Sequence, residues 1–70
     1  MKRHEYVGKN ILAEMVRRGI TPSEMALQMD LSLSTFYRRM RHPEDLTLKN
    51  LDSASAFLKV PIEALILKGA

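Results

Sequence analysis

The chain contains no cysteine. That excludes a disulfide framework, a thiolate nucleophile and any cysteine-ligated metal. Seventy residues must therefore cohere on a modest hydrophobic core, near the size where stability becomes marginal without staples. Glycine is scarce, with only three in the chain, and no glycine-rich phosphate loop can be assembled from them. No apolar run approaches the ~18 residues a membrane span needs, and the opening MKRHEYVGKN lacks the apolar stretch of a signal peptide. One domain over residues 1–70, soluble and cytoplasmic, is the expectation.

Convergent catalytic groups are missing too. The only histidines are His4 and His42, and neither has an Asp, Glu or His at helical spacing to form a metal or acid–base pair. Glu44 and Asp45 are adjacent, so their carboxylates do not converge. No enzyme, metal, cofactor or small-molecule ligand is expected.

One further lack is local. The stretch LSTFYRRMRHP, residues 33–43, holds three arginines and a histidine but no acidic residue. The net charge is a modest +3, unevenly spread. Residues 1–42 carry eight Lys/Arg against four Asp/Glu, or +4, and residues 43–70 carry three against four, or −1. Such asymmetry points to an anionic partner met by the first part of the chain.

What is present is helical periodicity: apolar residues recur at three- and four-residue spacing, and nothing alternates with period two for long. Val7, Ile11, Leu12, Met15 and Val16 form a stripe that predicts a helix over 6–18, with Gly19 as its left-handed stop. In TPSE, Thr21 caps the next helix, Pro22 fits its first turn and Glu24 completes a capping box. That helix, 22–29, turns Met25, Ala26 and Met29 inward. Asp30 tolerates the positive φ of a tight turn, and Ser32 caps a third helix over 33–41. Pro43 ends it, and HPEDL makes a loop. Thr47 caps a fourth helix, 48–58, whose inward face is Leu48, Leu51, Ala54, Phe57 and Leu58. Pro61 opens a fifth, 61–67, with Ile62, Leu65 and Ile66 packing back. The expectation is five helices and no sheet.

Two short capped helices joined by a turn of about three to four residues have the layout of a helix-turn-helix, here about residues 21–41. In that motif the second helix lies in the major groove of DNA. Ala26 supplies the small residue where the helices cross, Asp30 the turn and Leu31 the corner plug. At ~100° per residue from Leu33, Phe36 and Met40 fall near 300° and 340°, whereas Ser34, Tyr37, Arg38 and Arg41 fall near 40–140°. The outward face thus offers a hydroxyl, a phenol and two guanidiniums. Arginine grips the two acceptors of guanine, and any of these groups reaches phosphate. A basic helix face alone is most often merely solvated; as the second helix after TPSEMALQMDLS it becomes a candidate site.

Over about residues 7–67 the sequence resembles the Cro/repressor-type, lambda-repressor-like helix-turn-helix domains of phages and bacteria. The carrying segments are ITPSEMALQMDLSLSTFYRRM and LTLKNLDSASAFLKVPIEALI. The resemblance implies an all-α, five-helix fold. It also implies that Leu33, Ser34, Tyr37, Arg38 and Arg41 meet base edges or flanking phosphates, and that Ser23 and Lys49 meet the backbone. His42 is expected beside a phosphate. Three positions depart from the pattern: Asp30 stands where glycine is usual, Pro22 where a long polar side chain clamps phosphate, and Arg39 where an aliphatic residue is common.

The function so implied is a transcriptional regulator on operator DNA, a homodimer on a palindromic site, with Ile66 and Leu67 as candidate dimer contacts. The same fold serves as the antitoxin of toxin–antitoxin pairs, or as a helical protein-interaction module that has lost DNA binding. A neighbouring toxin reading frame marks the first alternative; the absence of salt-dependent DNA affinity marks the second.

Overall fold

A computed structural model describes residues 6–67; His4 and the basic Lys2 and Arg3 lie outside them. The described chain is all-helical: α1 Val7–Arg18, α2 Pro22–Gln28, α3 Leu33–Arg41, α4 Leu48–Leu58 and α5 Ile62–Ile66. A single 3₁₀ turn, Pro43–Asp45, occupies the loop expected between α3 and α4.

The helix starts follow their caps. Thr21 Oγ1 accepts the Glu24 N–H at 3.2 Å while Glu24 Oε1 accepts the Thr21 N–H at 2.9 Å, a complete capping box. Ser32 Oγ accepts the Thr35 N–H at 3.2 Å, and Thr47 Oγ1 accepts the Asn50 N–H at 3.0 Å. The stops of α1, α2 and α4 share one device, whereas α3 and α5 end at negative φ. Gly19, Asp30 and Lys59 all adopt positive φ, at 67°, 59° and 59°. After each, the next N–H reaches back to a carbonyl of the last helical turn: Ile20 to Met15 at 2.9 Å, Leu31 to Ala26 at 2.9 Å and Val60 to Ser55 at 3.2 Å. These are Schellman closures. Only the first has the glycine that makes such an angle free of cost; Asp30 bears it with a short polar side chain and Lys59 with strain.

The core gathers Val7, Ile11 and Met15 from α1, Met25, Ala26 and Met29 from α2 and its cap, Phe36 and Met40 from α3, Ala54 and Leu58 from α4, and Leu65 from α5. The α1–α3 contact is close. A Cβ at Gly8 would stand 2.4 Å from the Met40 carbonyl oxygen, so glycine there lets α1 lie against the end of α3.

Several sequence expectations need correction. Val16 is 83% exposed and Leu12 39%, because at ~100° per residue they fall about 180° and 140° from Val7, off the buried arc. Leu48 is 70% exposed; the buried arc of α4 is centred on Ala54, and Asn50 takes the inward place assigned to Leu48. Pro61 is the cap of α5 and not part of its first turn. Met29 caps α2 and lies outside it.

Two buried polar side chains were not anticipated. Asn10 Nδ2 donates to the Leu65 carbonyl at 2.8 Å and the Leu67 carbonyl at 2.6 Å, satisfying the end of α5. Asn50 performs a comparable service at the start of α4, described below.

Candidate nucleic-acid interface

The turn between α2 and α3 is short, and three successive N–H groups in it bond back to α2, which restrains the angle at which α3 leaves. Met29 N–H donates back to Met25 O, Asp30 N–H to Leu27 O at 3.1 Å and Leu31 N–H to Ala26 O at 2.9 Å. Leu31 then packs on the core, and Ser32 starts α3. Phe36 is completely buried and Met40 nearly so, pinning one side of α3 into the protein. The opposite side is therefore presented to solvent.

That side is where the sequence placed it. Leu33, Ser34, Tyr37, Arg38 and Arg41 are all exposed. Tyr37 has two roles: its ring meets Phe36 edge-on, with centroids 5.8 Å apart, yet 45% of the residue stays exposed. The Ser34 hydroxyl lies 3.4 Å from the Ser32 hydroxyl that caps the helix. Ser23 is exposed in the first turn of α2, and Lys49 in the first turn of α4.

The arginines divide sharply by partner. On α1, Glu14 binds both Arg17, at 2.6 Å, and Arg18, so both guanidiniums are engaged and one of their two charges is balanced. On α3, Arg38 and Arg41 form no ion pair and no side-chain hydrogen bond among the described residues. Arg39 is half-buried and turned away from them, donating from Nη1 to Asn50 Oδ1 at 2.8 Å. Its acceptor is neutral, so its charge remains. Among the described residues no carboxylate pairs with Arg38, Arg39 or Arg41, so the α3 face keeps its positive charge.

His42 fits its expected role less well. Its Nδ1 lies 3.5 Å from Glu44 Oε2, both side chains being about half exposed. A carboxylate beside the ring competes with a phosphate there, although so long and exposed a pair is worth little. Of the two candidate dimer residues, Ile66 is packed against the protein's own core, because α5 turns it toward the interior with Leu65. Leu67 is 65% exposed.

Among the described residues no three His, Asp or Glu side chains gather as metal ligands do, and no helix is long and apolar enough to cross a membrane. A pKa displacement is found outside this face. Glu24 is held below the ordinary glutamate value by the Thr21 backbone N–H first and the Thr21 hydroxyl second.

Comparison with protein-family models, with curated proteins and with solved structures returns no match.

Sequence reasoning missed the bond between Arg39 and Asn50. A signal was present. Asn50 stands three residues after the cap Thr47, where a side chain can return a hydrogen bond to the cap, and Arg39 stands on the inward edge of α3.

Proposed function

We propose that this chain is a sequence-specific DNA-binding transcriptional regulator in which α2, the turn and α3 act as a helix-turn-helix and α3 enters the major groove. The observation that carries the reading is the α3 face itself: Arg38 and Arg41 exposed and, among the described residues, without an ion pair, on a helix whose other side is locked by Phe36 and Met40. A surface that meets phosphates and base acceptors needs cations not already satisfied by the protein's own carboxylates. An α-helix with its side chains is about 10–12 Å across, which a major groove ~12 Å wide admits.

In this reading Arg38 and Arg41 grip guanine or its flanking phosphates, while Ser34, Tyr37 and Leu33 line the groove. Ser23 and Lys49 hold the backbone on either side. The chain works as a homodimer on a palindromic operator, in the manner of the Cro/repressor-type proteins it resembles. Selection of bound sequences from a random duplex pool tests this. A palindromic motif should emerge, with half-sites about one helical turn apart. A pool that shows no enrichment after repeated rounds contradicts the reading.

A further inference from the structure

We propose that Arg39 is a positioning residue: it touches no DNA and instead sets the seat of α3 through Asn50. The inference rests on the DNA-binding reading and adds to it a division of labour among three consecutive-looking arginines.

Asn50 is 6% exposed, and its side chain joins three elements at one point. Oδ1 accepts the Thr47 N–H at 3.0 Å and Arg39 Nη1 at 2.8 Å. Nδ2 donates to the Met29 carbonyl at 3.4 Å. Thr47 begins α4, Met29 ends α2 at the mouth of the turn, and Arg39 belongs to the last turns of α3. One amide therefore ties the end of α2 and the start of α4 to the half of α3 that bears Arg38 and Arg41. Both lone pairs of its oxygen are used.

The bond is of the stronger kind, with a charged donor and a partly desolvated site. It also restrains the same first turn of α4 that presents Lys49. Loss of the bond frees α3 to rock about Phe36 and Met40, which changes where the Arg38 and Arg41 guanidiniums point.

Arg39→Met keeps the apolar stem and the helix propensity but removes the donor. Asn50 Oδ1 then still accepts the Thr47 N–H, so no buried polar atom is orphaned and the fold is retained. Arg39→Lys restores a donor at comparable reach. Each chain is titrated with the selected operator and with an unrelated duplex at two salt concentrations, after a melt.

For Arg39→Met the expected result is a melt that stays cooperative but is lowered by several degrees, and about tenfold weaker operator binding. Binding to unrelated DNA should fall far less than operator binding, the salt slope of the operator complex should fall by well under one because the lost charge contacts no phosphate, and Arg39→Lys should recover part of the loss. A salt slope lowered by about one, with all sequences weakened alike, makes Arg39 a phosphate contact and overturns the proposal. Operator binding equal to wild type overturns it as well. A wild-type chain that binds neither duplex overturns the DNA-binding reading itself, and the positioning role with it.

Discussion

Phe36 and Lys59 show how differently single residues bear on this fold. Phe36 is fully enclosed and anchors α3. Truncation to alanine is expected to cost roughly 3–5 kcal/mol, which is most of what a domain of this size has in reserve. The variant should be largely unfolded at room temperature by circular dichroism. A cooperative melt close to wild type would mean that Phe36 does not support the core. Lys59 instead sits at φ 59°, exposed, in a conformation that suits glycine. Lys59→Gly relieves that strain, partly offset by the greater freedom glycine gives the unfolded chain, so a gain of up to about 1 kcal/mol is expected. The melting temperature should rise by a few degrees; a fall would show that the lysine side chain contributes more than the strain removes. Asp30 could be read from sequence as a positive-φ residue because Asp is one of the few types that visit that region. Lysine has no such preference, and the stop after α4 was legible only as a break in pattern.

At the level of the helix, capping makes α2 sensitive to acid. Glu24 has a folded-state pKa below its unfolded value. Its support for the cap is therefore complete above the ordinary glutamate range, near ~4.3, and is lost as pH falls through that range and the lower folded value. Stability measured by denaturant titration should decline over that interval, and Glu24→Gln, which keeps an acceptor for the Thr21 N–H, should flatten the decline. An equal decline in the variant would assign the acid sensitivity to other carboxylates. Helix positions were largely legible because their signals are local: Thr21, Ser32 and Thr47 name their own starts. The facing of α1 and α4 was less so. Val16 and Leu48 are apolar yet exposed, and Asn10 and Asn50 are polar yet buried, because helix phase is fixed by what packs opposite. The outward residues of α3 were legible since Phe36 and Met40 define its phase unambiguously. Which arginine was already engaged was not, because Asn50 is distant in sequence.

The described residues extend 29 Å along their longest axis. Under the proposed reading one copy spans one half-site of a pair about 34–36 Å apart, and a palindromic operator calls for two. Leu67 is the exposed apolar residue at the end of α5, and its burial by a second copy would remove that surface from water. Leu67→Glu should reduce self-association in sedimentation at tens of micromolar and convert cooperative operator binding into independent half-site binding, with the monomer melt little changed. A wild-type chain that remains monomeric there, both free and on DNA, rules out this contact.

The proposed DNA-binding role rests most heavily on one interaction, the grip of Arg38 and Arg41 on DNA. The most direct measurement is operator affinity as a function of salt for wild type, Arg38→Ala and Arg41→Ala, with Lys49→Ala as the comparison. Wild-type affinity should fall steeply with salt. Each arginine variant should lose about 1–3 kcal/mol and relax preference at one base position if the contact is bidentate to guanine. Lys49→Ala should weaken all sequences alike and lower the salt slope by about one. Arginine variants that bind the operator as tightly as wild type, with the same slope and the same preference, would contradict the assignment of the α3 face to DNA.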